Sequence, residues 1–382
     1  MVTFYSFCWS VIISSVFILV LYFLRKKTFF ILNFGVPILL LLFIFSLVRM
    51  LIPFEFSWQK IINDQYIYAV LMYPYVWAEK YHHFLFSVVI GIWIIGSCFF
   101  FYRFFKKTSS SYAYLKKIDK QASDRITTIL SRIDAKSKLS VYESSTIETP
   151  FLAGLFRPVI YIPAYEYTEE QLYYILLHEY THYKNKDLWV KLLCNLFCIV
   201  FWWDPIVYLL PKDLNAILEL KCDATLAKKL TEEEQFSYLD TILFTLHCIK
   251  NSNKIYTDKL PFTTAFVRPI DDLNKQRFQS LTKSIQKTNW ISFCSKFAVV
   301  CLLFLAFLSS YYFILQPSYE TPENELWEEG VDAIFDPSNS YLVPNETSDY
   351  NLYYNNEFVG VISSKDIQSG FCDIPIRKKE KK

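Results

Sequence analysis

Two of the chain's five histidines stand four positions apart in Leu176-Leu-His-Glu-Tyr-Thr-His182, with Glu179 directly after the first. On a helix that spacing places His178 and His182 on one face, about 40° apart, where both can reach one tetrahedral zinc ion. Glu179 is then set to take a proton from the attacking water. Zinc hydrolysis of this kind needs a third protein ligand. Glu219 is assigned that role, from the stretch Glu219-Leu-Lys-Cys-Asp223. Asp223 lies one helical turn further on the same face and is read as the carboxylate that orients a histidine through its other ring nitrogen. The chemistry expected is amide hydrolysis at a single Zn2+.

The positioning elements are also legible. Thr168 followed by Gln171 forms a capping box that starts a helix ten residues before His178. Leu172, Ile175, Leu176 and Tyr180 give that helix an apolar stripe. Residues 213–230 read as a second helix, carrying Glu219. Between the two helices, 188–210 is apolar apart from Lys191, Asn195 and Asp204, and resembles a membrane crossing. A single crossing would strand His182 and Glu219 on opposite sides of the bilayer, yet ligands must converge to about 2 Å from one ion. Asp204-Pro205, an N-cap followed by a proline at the first helical position, resolves the conflict by starting a return helix. The result is an apolar helical hairpin over 188–219. Its arms are about 24 Å long, short of the ~30 Å hydrocarbon core, so it is expected in or on the cytoplasmic side of the membrane bundle. Upstream, Gly154 marks a turn, and Val159, Ile160, Tyr161 and Ile162 read as a proline-bounded edge strand. Such an edge would hold an extended peptide substrate by main-chain hydrogen bonds.

The rest of the chain is that of a membrane protein, 53% hydrophobic and 19% aromatic over 382 residues, with only seven glycines. Its net charge of +2 is not gathered on one face, which argues against direct nucleic-acid binding. Four apolar runs, 9–24, 29–48, 84–102 and 297–315, predict four transmembrane helices. Arg25, Lys26 and Lys27, and the bases from Arg103 to Lys120, place the inner flanks in the cytoplasm. The N-terminus and the tail are then outside. The expected domains are 1–105, three transmembrane helices with a short outer loop over 50–83; 106–296, a cytoplasmic metallopeptidase domain; 297–315, the fourth transmembrane helix; and 316–382, an acidic extracytoplasmic tail with a small hairpin around Asn355. Nine cysteines without a Cys-x-x-Cys pair read as small buried hydrophobes.

Together, Gly-Leu-Phe-Arg-Pro-Val-Ile from Gly154, His178-Glu179-x-x-His182, Asp187, Trp-Trp-Asp-Pro and Glu219-x-x-x-Asp223 resemble the BlaR/MecR-type membrane metallopeptidases. These are antirepressors that signal β-lactam exposure in bacteria. The resemblance implies a mainly α, polytopic protein with four transmembrane helices and a cytoplasmic α+β gluzincin-like domain; the residues themselves add a small outer β-containing tail. It implies zinc on His178, His182 and Glu219, with Glu179 as base and Asp187 and Asp223 supporting the ligands. It further implies a multi-pass protein of the bacterial cell membrane that cleaves a cytosolic protein, such as a winged-helix transcriptional repressor. Self-cleavage is implied as well, and 262–283 is the stretch that would offer the bond. Two features depart from the family: Asp204 stands where asparagine is usual, and 67 residues follow Leu315 where the sensors carry a penicillin-binding domain. Ser280-Leu-Thr-Lys283 and Ser284-Ile-Gln-Lys287 lack a Lys-Thr-Gly partner, so β-lactam sensing by this chain is not expected. The competing readings are a housekeeping membrane protease of the related quality-control family, and a non-catalytic receptor that retains the fold.

Overall fold

The computed structural model describes residues 4–56, 58–62, 82–135, 139–250, 263–265, 272–284, 290–315, 339–345, 349–355, 357–362 and 374–377. The chain forms two compact units, Met1–Pro317 and Ser318–Lys382. The first is mainly helical. It opens with α1 (Phe4–Lys26), α2 (Thr28–Phe34) and α3 (Val36–Leu51), followed by α4 (His82–Lys117). After α5 (Asp124–Ile133) come the site-bearing helices α6 (Glu169–Lys184), α7 (Asp187–Val200), α8 (Leu210–Ala227) and α9 (Glu232–Lys250). Two more complete the unit, α10 (Asp272–Ser284) and α11 (Trp290–Tyr312).

Three stretches are long and apolar enough to cross a membrane: Tyr5–Lys26, Ser87–Lys117 and Phe293–Tyr312. The expected span over 29–48 takes a different form. It is split into α2 and α3, bent by 104° at the break. Gly35 causes the break, because it adopts a φ of 82° open chiefly to glycine, and Pro37 two residues on has no N–H to continue the α2 ladder. Among the described residues there are therefore three such helices, or four if the bent pair is one crossing. α4 also runs unbroken past the boundary expected at residue 105. Most of the expected outer loop, 50–83, and Cys372 lie outside the described residues. The eight cysteines that are described are free thiols.

A two-stranded parallel pair joins β1 (Lys60–Ile62) and β6 (Phe313–Leu315), and a four-stranded sheet is ordered β2 (Ser140–Ser144), β4 (Val159–Pro163), β3 (Phe151–Ala153), β5 (Thr263–Ala265). This corrects the edge-strand reading of Val159, Ile160, Tyr161 and Ile162. β4 lies inside the sheet, parallel to β2 on one side and antiparallel to β3 on the other, so both main-chain edges are taken. Ile160, Tyr161 and Ile162 are buried as core. The sheet packs on α6, whose Leu172, Ile175 and Leu176 face it in one apolar cluster. The β3–β4 turn depends on Gly154, at φ 93°, where an added Cβ would meet the Arg157 carbonyl oxygen at 2.5 Å.

A short 3-10 helix, Pro205–Leu209, follows Asp204, whose Oδ1 accepts from the Ile206 amide at 2.9 Å. The expected N-cap is thus present, with a 3-10 turn preceding α8. The α7–α8 tip docks against two candidate membrane helices. Ser15 of α1 bonds Asp204 at 3.2 Å, while on α4 the Trp93 indole N–H donates to the Val200 carbonyl at 2.6 Å and Trp202 to the Trp93 carbonyl at 3.3 Å. Trp202 also covers Gly96, where a Cβ would approach the indole to 2.3 Å. We expect Gly96→Val to destabilise the protein by about 1–3 kcal/mol through overpacking. Gly91→Val should cost far less, since among the described residues no packing neighbour outside its own helical turn lies within 4 Å of where its Cβ would stand. Unfolding midpoints in detergent would check this, and equal midpoints for the two variants would contradict the contact.

The second unit holds an antiparallel sheet of β7 (Ser340–Pro344), β8 (Tyr350–Tyr354) and β9 (Glu357–Ile362). The hairpin expected around Asn355 is the β8–β9 connection, where Asn355 has φ 50°. β7 is an additional strand, and Leu342, Leu352 and Ile374 form the small core.

Candidate metal centre

α6 begins at the capping box: the Gln171 amide donates to Thr168 Oγ1 at 3.1 Å, and the Thr168 amide to Gln171 Oε1 at 3.0 Å. Ten residues on, it presents His178, Glu179 and His182, all fully buried. α8 brings Glu219 against them. The two Nε2 atoms lie 3.0 Å apart, and Glu219 Oε2 lies 3.3 Å from that of His178 and 3.5 Å from that of His182. Ligand bonds of about 2.0–2.1 Å at a tetrahedral zinc ion place neighbouring donors about 3.3 Å apart, so this triangle has the dimensions of a zinc-ligand face. The approach of His182 to Glu219 also requires the intervening chain to double back, as the hairpin does.

Each histidine is held by its other nitrogen. Asp187 Oδ2 lies 2.6 Å from His182 Nδ1, and a carboxylate there only accepts, so that nitrogen carries the proton and leaves Nε2 with a lone pair. His178 Nδ1 meets the Tyr238 hydroxyl at 2.7 Å. That hydroxyl donates its proton to Asp223 Oδ1 at 2.7 Å, so its oxygen accepts from His178. Asp223 itself is 3.7 Å from His178 Nδ1 and acts through Tyr238. It is fixed in turn by Arg277, whose Nε and Nη2 bond its two oxygens at 2.6 and 2.9 Å. Both imidazoles thus offer Nε2 to the same point.

A second donor set contains His178, His182 and Cys222, with ligand atoms within 4.8 Å of one another. The His178 nitrogen that Cys222 approaches is Nδ1, at 3.5 Å. That atom is already committed to Tyr238, so the Nε2 face with Glu219 is the better single-ion site.

The family described as BlaR1 peptidase M56 matches residues 46–265, more than half of the chain. The chain belongs to this family. Curated relatives include the regulatory protein BlaR1 of Staphylococcus aureus, 26% identical over 162 residues, which cover 40% of this chain and 27% of that protein. BlaR1 of Bacillus licheniformis is 31% identical over 108 residues, covering 28% and 18%, respectively. The methicillin resistance mecR1 protein of Staphylococcus aureus (strain Mu50) is 27% identical over 169 residues, covering 41% and 28%. The matched stretch thus spans under a third of each relative's length. Membership in this M56 family makes the buried cluster a candidate peptidase metal centre.

The electrostatics of the M56 site follow from burial opposed by close charges. Burial by itself lowers the pKa of His178, but Cys222 and Glu219 outweigh it and lift the group to about 9. His182 is raised well above its ordinary value because Cys222, Glu219 and Asp187 overcome the same burial. Glu219 is held well below the carboxylate range: burial would raise it, and the two imidazoles dominate. In the metal-free protein, protonation of Nε2 therefore competes with a metal ion for the same lone pairs. A raised histidine pKa stabilises the metal-free fold below the ordinary value of 6.5, and that contribution fades as pH climbs through about 9. Zinc affinity should rise across the same interval, approaching tenfold per pH unit for each proton displaced. Competition with a chromogenic chelator between roughly pH 6 and 9 measures the slope, and a flat profile would contradict it.

Proposed function

We propose that this chain is a membrane-embedded zinc endopeptidase that hydrolyses a peptide bond in a cytosolic protein, a transcriptional repressor, during transmembrane signalling. The observation that carries this reading is the convergence of His178 Nε2, His182 Nε2 and Glu219 Oε2 to 3.0–3.5 Å beside buried Glu179. The regulatory role named for the BlaR1 relatives supports the signalling part. In this proposal the bent α2–α3 pair counts as the second of four crossings, the N-terminus and the Ser318–Lys382 unit face outward, and the gluzincin-like peptidase domain faces the cytoplasm.

His178, His182 and Glu219 would hold the zinc. When bound, the ion supplies Lewis-acid polarisation of the scissile carbonyl and acidifies water. Glu179 accepts the proton of the attacking water at its carboxylate and returns it to the leaving amine. Asp187 and the Tyr238–Asp223 pair keep the imidazoles turned to one point, so no reorganisation is needed during the reaction. With β4 enclosed, an extended substrate would add at the outer edge of the β3–β5 side. β5 lies within the stretch expected to supply the self-cleaved bond, and self-cleavage is part of the proposal. The remainder of that stretch from Asp272 is helical in α10.

Profiling new protein N-termini in cells that express the chain or its Glu179→Gln form tests the activity. Termini that depend on Glu179 and map to a cytosolic protein are expected. An identical set in both would overturn the reading.

A further inference from the structure

The neighbouring residues Gln276 and Arg277 point to a link that the hydrolytic chemistry alone does not require. Both are buried, at 2% and 1% exposure, on a thirteen-residue helix that is otherwise largely polar. Arg277 holds Asp223 through two bonds and also lies 3.4 Å from the Tyr238 hydroxyl. Gln276 instead reaches the membrane helix: its Nε2 donates to the carbonyls of Arg25 and Lys26, each at 3.3 Å. These are last-turn carbonyls of α1, groups that no N–H of their own helix can satisfy. One short helix therefore grips the end of a candidate membrane span with one side chain and the support of His178 with the next.

The same end of α1 is held a second time. Arg25 Nε pairs with Asp213 Oδ1 at 2.6 Å, both groups buried, and Asp213 stands in the first turn of α8, six residues before Glu219. Two of the three proposed ligands are thus connected to one point on α1, Glu219 through α8 and His178 through α10. A buried planar fork such as Arg277 on Asp223 tolerates little displacement, since its paired bonds weaken together when the geometry is lost. A shift of α1 relative to α8 would move Gln276, and Arg277 with it, against Asp223.

Resting on the zinc-site reading above, we propose that α10 couples the inner end of α1 to the metal centre, with Arg277 as a positioning residue for His178 and Gln276 as its membrane-side tie. The test is a double-mutant cycle read as zinc affinity of the full chain in detergent, by chelator competition. Arg277→Met should weaken zinc by roughly 10- to 100-fold, the usual effect of removing a partner of a metal-bound histidine. Tyr238→Phe, which keeps the ring and loses only the hydroxyl, should weaken it in the same direction and guards against a simple folding defect in the arginine variant. Gln276→Leu should cost roughly 2- to 30-fold, and that cost should vanish in the Arg277→Met background. The d–d spectrum of the cobalt-loaded protein should shift in the Gln276 variant, which a merely stabilising glutamine would not cause. Wild-type zinc affinity in both Arg277→Met and Tyr238→Phe overturns the positioning role. Multiplicative effects of Gln276→Leu and Arg277→Met, or an unshifted cobalt spectrum, overturn the tie. Absence of zinc binding by the unaltered chain would instead sink the metallopeptidase reading itself.

Discussion

Glu179→Gln should leave zinc content at the level of the unaltered chain and reduce peptide hydrolysis by at least about a hundredfold, within the range lost when a general base is removed. The amide has the shape of the carboxylate but cannot accept the proton. Glu179 is fully buried on the same helix as the two histidines, one residue after His178, and is not one of the three residues that form the ligand triangle. The substitution therefore separates metal holding from proton transfer. Zinc would be measured by atomic spectroscopy after dialysis and hydrolysis by the rate at which a cleaved terminus appears. Full activity would remove Glu179 from the mechanism. Loss of zinc together with activity would place it in the metal site.

What the sequence conveys about this centre divides by distance along the chain. His178 and His182 are readable because a four-residue spacing has one geometric meaning on a helix, and Thr168 with Gln171 announces that helix. Asp204-Pro205 likewise announces the return of the hairpin, because capping chemistry is local. Tyr238 and Arg277 carry no such mark. They reach the site from α9 and α10, 60 and 39 residues from His178 and Tyr238, respectively, and only tertiary packing makes them neighbours. Sequence alone therefore assigns Asp223 to a histidine directly, when its bond passes through the Tyr238 hydroxyl.

The correction at β4 and the bend within the expected second span have local cues that competing cues outweigh. Val159 to Ile162 is flanked by Pro158 and Pro163, which favour an edge, but an unbroken apolar run is also what a strand buried on both faces requires. β2 and β3 supply the two neighbours. In 29–48 the hydrocarbon-like composition outweighs Gly35-Val-Pro37, although a glycine able to adopt positive φ followed by a residue without an N–H is enough to turn the helix.

Glu219→Ala should remove zinc from the protein, lowering affinity by more than the roughly 10- to 100-fold typical of lost supporting partners, while Cys222→Ser should retain the metal. The pair of variants separates the two donor sets that the geometry brings together. Glu219 Oε2 stands 3.3 and 3.5 Å from the Nε2 atoms, the nitrogens that Asp187 and Tyr238 leave with lone pairs. Cys222 approaches His178 on the opposite nitrogen. A serine hydroxyl preserves the size of that contact but is a much poorer zinc ligand than a thiolate, so retention of zinc means that sulfur is not in the coordination sphere. Glu219 also favours protonation of the two imidazoles when no metal competes for them. In the alanine variant one of the influences that raise the two histidines is gone while Cys222 still opposes burial, so the imidazoles should release protons at lower pH, and the pH dependence of zinc binding should ease at the same time as affinity falls. Equilibrium dialysis at two pH values reads both effects. Zinc retained in Glu219→Ala and lost in Cys222→Ser would transfer the third position to the cysteine.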